Sequence, residues 1–301
     1  MLRKALEADG VFDLRPAPFA PMEAVELAHD PSYIRGFVDG TLPAAAMRRI
    51  GFPWSQGLVE RTFASVGSTL QSAWDSLELS TREWGIAGGL AGGTHHAFHA
   101  EGAGFCVFND VAVAIRALQN AGRIRRAAVV DLDVHQGDGT ASIFQNDPSV
   151  LTFSMHGANN FPSRKQTSDI DIDLPDFTGD DAYLRALEDA LPEVWGFEPE
   201  IVFFQSGVDT LRSDRLGRLS LTAEGLRRRD HLVLAGARCR QVPVVVTLGG
   251  GYSEPIEATV AAHANTFRIA AQTVDPAVSP SIIGSRQGNQ RDGRNITNSW
   301  K

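Results

Sequence analysis

The sequence of 301 residues predicts a single α/β domain built on a mostly parallel central sheet with helices on both faces. Three observations lead to this prediction. Short, continuous apolar runs alternate along the chain with segments whose apolar residues recur at helical spacing. Each apolar run ends in glycines or polar residues, as parallel strands do where they meet a loop. No internal repeat or linker divides the chain, which favours one three-layer α/β/α domain over two smaller ones.

The first third of the chain is predicted to be mainly helical. Asp30 precedes Pro31, a pair typical of a helix N-cap and the first helical position. Segments 11–22 and 40–53 are rich in proline and turn-forming residues, so we expect irregular connections there. The helices predicted in this part span residues 1–8, 22–28, 31–38 and 58–79.

Strands and helices alternate in the rest of the chain. A short strand at 85–89 opens into a glycine-rich loop, and residues 159–176 are predicted to form a long connection. Thr222 is predicted to cap a helix with a basic face, and Ser253 to cap the last helix with Pro255 in its first turn. A buried strand that ends in a loop is predicted within 128–139, and further strands at 150–155, 200–204 and 242–247. Helices are predicted at 107–120, 139–144, 180–195, 222–238 and 253–271.

The C-terminal segment differs in composition from the rest of the chain. It is rich in Ser, Gly, Asn, Gln and Arg, which is typical of a segment that cannot build a packed core. We therefore predict a folded domain over residues 1–272 and a flexible tail over 273–301.

Composition narrows the function classes. With 43% hydrophobic and 21% charged residues the chain is an ordinary globular protein. A net charge of -8 gives no support for nucleic-acid binding and suits cationic substrates. Cys106 and Cys239 form no CxxC motif, which indicates a reducing compartment. No signal-peptide pattern or membrane-length apolar run is present, so we expect a cytoplasmic protein without membrane partners.

Residues 128–139 carry the densest concentration of polar chemistry. An apolar run leads into Asp131, Asp133 and His135, which would share one face of an extended chain at the end of a strand. Asp133 and His135 are able to ligate zinc, whereas Asp131 and Asp138 suit hydrogen bonds that orient imidazoles. On its own the motif is equally compatible with a polar strand end whose carboxylates are hydrogen-bonded.

Polar clusters follow several predicted strands, and this common position favours a site. The carboxyl ends of parallel strands line one edge of a sheet, so the clusters should meet there. Asp209, after the strand at 200–204, is predicted to be the third metal ligand with Asp133 and His135. Two carboxylates and one imidazole with an open position suit catalytic zinc, and would also accept iron(II). Taken alone, Asp209 is equally compatible with a turn or a helix cap.

His95 and His96 stand in tandem after the glycine-rich loop, which favours acid–base chemistry over core packing. Each imidazole needs a partner that sets its tautomer, so we pair His95 with Asp131 and His96 with Asp138. Tyr252 follows three glycines, which let the backbone approach a ligand, and its hydroxyl could donate to an oxyanion. The alternative for Tyr252 is a turn residue packed on the surface.

Phe105 and Phe161 lie on loops at the same predicted edge. Two facing rings would form a slot for a flat or narrow aliphatic stem, although ordinary packing of loops on the core explains them equally well. Cys106 fits a small buried hydrophobe better than a nucleophile, because no base is tied to it.

Six motifs occur together in this chain: Gly93-Thr94-His95-His96, Gly104-Phe105-Cys106-Val107-Phe108-Asn109-Asp110, Asp131-Leu132-Asp133-Val134-His135-Gln136-Gly137-Asp138-Gly139, Gly207-Val208-Asp209-Thr210, Asp214-Arg215-Leu216-Gly217 and Gly249-Gly250-Gly251-Tyr252. They resemble the motifs of the zinc-dependent histone deacetylase superfamily, and the chain is most similar to class IV and short bacterial members. The similarity runs from the start of the chain to about Ala271. It implies the arginase/deacetylase fold and hydrolysis of an N-acyl amide, typically an acyl-lysine.

The resemblance also implies roles for the residues of the site. Zinc held by Asp133, His135 and Asp209 would polarise the substrate carbonyl and lower the pKa of water. His96 would take the water proton and later protonate the leaving amine, and Tyr252 would stabilise the oxyanion.

The remaining implied residues bind substrate or a cation. His95, held by Asp131, would act as an electrostatic partner of the base. The implied substrate-binding residues are Gly104, Phe105, Phe161 and Gly250, and those of a monovalent cation, usually potassium, are Asp131, Asp133, His135, Ser154 and Met155.

The chain departs from the superfamily pattern at its start. Members begin with a strand and an entrance loop, whereas Met1 here falls inside the helix that would follow them. We therefore expect the sheet to lack its first strand, either because the start is assigned late or because an edge element is missing. An absent edge strand would leave unpaired backbone.

Three alternatives to an acyl-lysine deacetylase remain. One is an amidohydrolase of acetylpolyamines or other small acylated amines. A second is an arginase-like ureohydrolase with two metals, which is disfavoured because Gly137, Val208 and Thr210 supply no bridging carboxylates. The third is a non-catalytic acyl-lysine reader, which the retained ligands and histidine pair argue against.

Overall fold

Six parallel strands form one sheet at the centre of the protein in the computed structural model, which describes residues 1–82 and 84–277. Their order across the sheet is β1-β6-β5-β2-β3-β4, and each pair of neighbours is parallel. The predicted α/β fold with a parallel sheet is confirmed. The strands are β1 (Ile86–Gly88), β2 (Ala127–Asp131), β3 (Val150–Gly157), β4 (Ile170–Leu174), β5 (Ile201–Gln205) and β6 (Val244–Thr247).

Helices precede the sheet and connect its strands. The predicted caps are present, because Asp30 accepts hydrogen bonds from the N–H groups of Ser32 and Tyr33, and Thr222 accepts one from Gly225. The helices are α1 (Leu2–Asp9), α2 (Met22–Val25), α3 (Pro31–Val38), α4 (Ala44–Ile50), α5 (Gln56–Leu79), α6 (Asp110–Asn120), α7 (Asp138–Phe144), α8 (Asp180–Gly196), α9 (Ala223–Cys239) and α10 (Ile256–Val274).

Two hydrophobic cores lie on opposite faces of the sheet. Val130 and Phe204 point into a core shared with α8, α9 and α10, whereas their neighbours Val129 and Phe203 point into one shared with α3, α5 and α6. This alternation follows from the period of two in a strand, and each fully buried Val or Phe stabilises the fold by about 1.5–3 kcal/mol. The predicted three-layer arrangement follows from strands that are apolar on both faces.

Register brings the strand ends of the sheet to one edge. Asp131 at the end of β2 lies opposite Ser154 in β3 and Gln205 at the end of β5. The loops that follow β2 and β5 therefore start side by side, at the carboxyl edge where parallel sheets bind ligands.

One helix was not expected from the sequence. Residues 40–53 were predicted to be an irregular connection, but α4 occupies the centre of this segment. Pro43 stands at its N-cap, Gly51 ends it in the left-handed conformation, and Ile50 is fully buried. The alanine-rich run between these two turn residues is long enough for two turns of helix.

One strand was also missed. The connection predicted over 159–176 contains β4, an edge strand paired with β3. Its sequence, Ile-Asp-Ile-Asp-Leu, alternates apolar and polar residues, which is typical of a strand with one buried face.

The last two helices differ in detail from the prediction. α10 begins at Ile256 with Pro255 at the N-cap, and Ser253 lies outside it, where its N–H donates to Thr259. α9 has an exposed basic face, but Arg229 is excluded from that face because its side chain is completely buried.

The N-terminal region agrees with the expectation that helix precedes sheet. Within residues 1–82 the structure contains helices and connections but no strand, so β1 is an edge strand of the described sheet. The predicted tail over 273–301 lies outside the described residues apart from its first five positions, and α10 continues through Val274.

None of the helices within residues 1–82 and 84–277 combines the length and apolar character needed to cross a membrane.

Candidate active site

Asp133 and His135 lie in the loop after β2, and both meet Asp209 from the loop after β5. The strand ends at Asp131, earlier than the extended run that the sequence suggested. Nδ1 of His135 is 3.0 Å from Oδ1 of Asp133 and 3.1 Å from Oδ2 of Asp209. One ligand atom from each of the three residues lies within 4.8 Å of the others. The predicted ligands therefore converge on one point.

Backbone N–H groups hold the two carboxylates in place. Gly250 N–H donates to Oδ2 of Asp133 at 2.6 Å, and Val134 N–H donates to Oδ1 of Asp209 at 2.9 Å. Oδ2 of Asp209 is buried without an aligned donor among the described residues, although His135 lies close to it. A buried carboxylate oxygen without a partner is costly, so this atom together with the two carboxylates and one imidazole fits a zinc ion.

The electrostatics of the cluster also indicate a cation. Burial and the charge of Asp133 raise the pKa of Asp209 to about 7. Burial lowers the pKa of His135, but hydrogen bonds and charges from Asp133 and Asp209 outweigh it and raise this pKa to about 11. The two buried carboxylates thus share the single positive charge of His135. A divalent ion would neutralise them more completely.

The structure brings the two histidines into the predicted pairs. Nδ1 of His95 lies 2.7 Å from Oδ2 of Asp131, and Nδ1 of His96 lies 2.6 Å from Oδ1 of Asp138. The two imidazole rings are 4.1 Å apart, and the ring of His96 is 5.9 Å from that of His135. With Nδ1 bound to a carboxylate, Nε2 of each ring is the nitrogen left for chemistry.

The two histidines differ in charge. Burial, then the charge of His95, lowers the pKa of His96 to about 4. Burial also lowers the pKa of His95, but Asp131 and Asp133 outweigh it and raise this pKa to about 9. Near pH 7 His96 is therefore the neutral ring, which is the form that accepts a proton.

Tyr252 lies on the loop after β6 with its side chain 37% exposed. Burial, then the charges of Asp133 and Asp209, raises the pKa of the Tyr252 hydroxyl. The phenol is therefore protonated at neutral pH and lies within electrostatic reach of both carboxylates, so it is a hydrogen-bond donor beside the cluster.

The two predicted aromatic residues lie at the rim, both half-exposed. Phe161 meets His96 edge-on with ring centroids 4.9 Å apart, whereas Phe105 packs 5.2 Å from Phe52. A Cβ at Gly104 would press on the rings of His96 and Phe161. Gly104 therefore keeps space open beside the histidine pair.

A family model described as the histone deacetylase domain matches residues 1–267. The chain belongs to the histone deacetylase family. This membership agrees with the fold and confirms the resemblance found in the sequence motifs.

Similar proteins and solved structures support the assignment of the chain to the histone deacetylase family. An uncharacterised protein of Picosynechococcus is 49% identical over 250 residues, 82% of this chain and 81% of its own. The acetoin utilization protein AcuC of Bacillus subtilis is 32% identical over 281 residues, 83% of this chain and 70% of its own. The crystal structure of an HDAC homologue from Aquifex aeolicus superposes with a TM-score of 0.77 at 26% identity, covering 89% of this chain and 76% of that one.

The residues predicted for a monovalent cation lie beside the same strand end. Ser154 is opposite Asp131 in the sheet, its hydroxyl is 3.0 Å from Nδ1 of His156, and Met155 is completely buried next to it. Potassium at this position stays a prediction for this deacetylase family chain.

Asp110 is a site residue whose role the sequence did not reveal. It is fully buried, and its carboxylate accepts the N–H groups of Gly93 at 2.9 Å and Thr94 at 2.7 Å. These contacts fix the loop that carries the histidine pair. Asp110 stands in the first turn of α6, where an acidic residue is usual, so the local sequence alone gives no sign of the long-range contact.

Asp214 plays a similar part for the tyrosine. One of its oxygens accepts the N–H of Tyr252 at 2.5 Å, and the other accepts the N–H groups of Leu216 and Gly217 at 2.8 and 2.9 Å. Through Asp214, the Asp-Arg-Leu-Gly motif is hydrogen-bonded to the loop that carries Tyr252.

Asn160 joins two further loops at the rim. Its amide donates to the carbonyl of Leu216 at 2.8 Å and accepts the N–H of Arg218 at 3.2 Å. Nζ of Lys165 donates to the carbonyls of Asn160 and Pro162, on both sides of Phe161. The aromatic rim residue is therefore held from two directions.

Proposed function

We propose that this protein is a zinc-dependent hydrolase that removes acyl groups, above all acetyl groups, from N-acyl-lysine or related amines. The observation that carries the proposal is the convergence of Asp133, His135 and Asp209 next to a histidine pair whose members have different carboxylate partners. Family membership supports a deacetylase, and the chemistry of the donor set supports zinc, with iron(II) as the other candidate.

Asp133, His135 and Asp209 would hold the metal, and Gly250 N–H would keep the carboxylate of Asp133 aimed at it. When bound there, zinc supplies a Lewis acid for the substrate carbonyl and lowers the pKa of water. A potassium ion beside Asp131 and Ser154 belongs to the same proposal.

The protein's own groups would manage protons and orientation. His96, oriented by Asp138, takes a proton from the attacking water and gives it to the leaving amine. His95, charged and held by Asp131, stabilises negative charge that develops nearby. The hydroxyl of Tyr252 donates to the oxyanion of the tetrahedral intermediate.

The rim favours a neutral acylated side chain over a polycation. Aromatic rings from Phe105 and Phe161 stand at the opening. Two acidic residues close in sequence to the rim residues are paired with arginine: Glu101 with Arg49 and Glu254 with Arg215. The carboxylate of Asp214 accepts backbone N–H groups, among them that of Tyr252. A highly charged polyamine would find no free carboxylate in these pairs, so we favour acylated lysine in a protein over an acetylpolyamine.

The reducing compartment expected from the sequence fits the same proposal. Both cysteines are free, Cys106 buried and Cys239 exposed. We place the proposed reaction in the cytoplasm on this support.

The test measures acetate release by metal-free protein reconstituted with zinc or iron(II). Substrates are an acetyl-lysine peptide, acylated peptides with longer chains and an acetylpolyamine. We expect zinc-dependent acetate release from the peptide, and a decrease of about 100-fold or more in kcat for Tyr252→Phe with zinc content unchanged.

Other outcomes would favour the alternatives. Stoichiometric zinc without hydrolysis of any substrate in the panel would indicate a reader of acyl-lysine. Hydrolysis confined to the acetylpolyamine would move the assignment to small-molecule amides, and release of urea from guanidino substrates would indicate a ureohydrolase.

A further inference from the structure

We infer that Arg229 is a positioning residue that clamps together the two loops carrying the metal ligands. The inference concerns an arginine of α9, on the helical layer behind the sheet edge, and rests on the proposed metal site. The predicted basic face of α9 gave no reason to single it out.

Arg229 is completely buried, which is unusual for an arginine. Its Nη1 donates to the carbonyl of Leu132 at 3.2 Å and to that of Gly207 at 2.6 Å. Its Nη2 donates to the carbonyl of Ser206 at 3.3 Å. A single guanidinium therefore contacts the loop after β2 and the loop after β5 at once.

These carbonyls lie where the sheet stops supplying partners. β2 and β5 are paired up to Asp131 and Gln205, and the N–H of Leu132 still donates to Gln205. The carbonyls to which Arg229 donates come next after each of these strands. A buried carbonyl without a donor costs about 1–3 kcal/mol. The guanidinium therefore supplies the hydrogen bonds that strand pairing no longer provides at these carbonyls.

The three clamped carbonyls are one to three residues from the ligands. Leu132 directly precedes Asp133, and Gly207 is two residues before Asp209. The loops also touch at this point, because a Cβ at Gly207 would overlap the carboxylate of Asp133. A small change in the separation of the loops would therefore move both carboxylates of the cluster.

The guanidinium is itself held in one orientation. Nε of Arg229 donates to Oδ1 of Asp230 at 2.8 Å, and Oδ2 of Asp230 accepts the hydroxyl of Thr266 from α10 at 2.7 Å. Because the Nη groups are fixed in the plane set by Nε, this pairing aims them at the carbonyls. A lysine could keep the charge but could not reach three carbonyls with fixed geometry.

The decisive variants are Arg229→Lys and the double change Arg229→Gln with Asp230→Asn, which removes both buried charges together. A matched pair elsewhere supplies the control: Arg268 of α10 binds Asp9 of α1 at 2.8 and 3.1 Å, away from the ligand loops. The control variants are Arg268→Lys and Arg268→Gln with Asp9→Asn.

Two measurements separate a positioning role from a general contribution to stability. The first is zinc affinity of the folded protein, by competition with a chromophoric chelator. The second is hydrogen exchange of the metal-free protein at the amides of Leu132, Val134 and Val208, which does not depend on the metal.

We expect both Arg229 variants to bind zinc about 10- to 100-fold more weakly, as changes in residues that orient ligands do. We expect exchange at the three amides to become faster by a similar factor while exchange in α1 stays unchanged. The Arg268 variants should lower the melting temperature, leave zinc affinity within about twofold and leave the three amides protected.

Zinc affinity and loop exchange equal to wild type in the Arg229 variants would overturn the inference. Failure of both Arg229 variants to fold, with or without zinc, would also contradict it, because Arg229 would then serve the fold as a whole. If wild type itself binds no zinc, the proposed function fails, whereas the exchange result still decides whether Arg229 fixes the loops.

Discussion

Asp138 sets the behaviour of His96 through one short contact. The carboxylate lies 2.6 Å from Nδ1 and is almost completely buried with the ring. A buried charged partner of this kind fixes both the tautomer and the orientation of an imidazole. The proton acceptor that we propose is thus prepared before substrate arrives.

Replacement of Asp138 by Asn should lower kcat by about 10- to 100-fold, because the amide stabilises the imidazolium less than a carboxylate does. The acidic limb of the kcat profile against pH should shift, while zinc content stays the same. Asp189→Asn, an exposed residue of α8, is the control and should match wild type. An unchanged profile for the Asp138 variant would reject the pairing as functionally relevant.

His29 is buried and neutral for structural reasons. Its Nε2 accepts the N–H of Asn109 at 2.8 Å, and its Nδ1 is 3.2 Å from the carbonyl of His99. Burial, opposed only in part by backbone hydrogen bonds, lowers the pKa of His29 to about 4. Unfolding exposes the ring to its ordinary pKa of about 6.5.

Acid should therefore destabilise the protein through His29. Between pH 6.5 and pH 4, His29 is protonated in the unfolded chain but stays neutral in the folded chain. The free energy of unfolding therefore falls as the pH decreases. The contribution is about 2 kcal/mol between pH 7.5 and pH 5. In urea unfolding, His29→Gln should be less stable at pH 7.5 and show a pH dependence smaller by about this amount. An equal pH dependence in both proteins would contradict the assignment.

At the scale of elements, the glycine loop after β6 shapes the metal cluster. Gly250 packs so closely that an added Cβ would overlap the carboxylate of Asp209, and its N–H binds Asp133. The loop therefore works through its lack of side chains as well as through its backbone donor.

Gly250→Ala should weaken zinc binding by about tenfold or more, because the new methyl group displaces a ligand. Gly196→Ala provides the contrast, since a Cβ at the end of α8 would meet no atom within 4 Å. That variant should bind zinc as wild type does and be stabilised by up to about 1 kcal/mol. Competition with a chelator and thermal unfolding check the two expectations, and equal zinc affinity in Gly250→Ala would contradict the first.

Elements differ in how well the sequence predicted them. The ligand set was accessible because Asp133, His135 and Asp209 follow strands whose ends must meet at one edge. β4 was missed even though its alternating pattern is typical of a strand, because a long polar segment was interpreted as a loop. Arg229 could not be identified, since its burial depends on carbonyls from two loops far away in the sequence.

At the scale of the molecule, the metal site affects the free energy of unfolding. Without a cation the folded chain confines Asp133 and Asp209 together, and burial with this like charge raises the pKa of Asp209 to about 7. A carboxyl whose folded pKa is raised destabilises the folded state at any pH above its unfolded value. Asp209 is therefore expected to contribute an electrostatic penalty to the metal-free protein at neutral pH, which bound zinc would remove.

Removal of zinc by a chelator should lower the melting temperature. Zinc at about 100 times its Kd would stabilise the fold by about 3 kcal/mol, or about 5 °C for a domain of this size. Asp209→Asn should lose this response, and its metal-free form should melt at or above metal-free wild type. A metal-free variant that melts well below wild type would show that Asp209 stabilises the fold by itself.

The strand order has a consequence for synthesis on the ribosome. Among the strands of the described sheet β1 is made first, yet its only neighbour there is β6, which is made last. The central pair β2 and β5 is likewise separated by two strands and two helices in the chain. Contacts of such long sequence separation form late, so the nascent chain exposes apolar strand faces until β6 emerges. Chaperone demand should therefore peak just before translation reaches the final helix, and chains truncated upstream of β6 should aggregate.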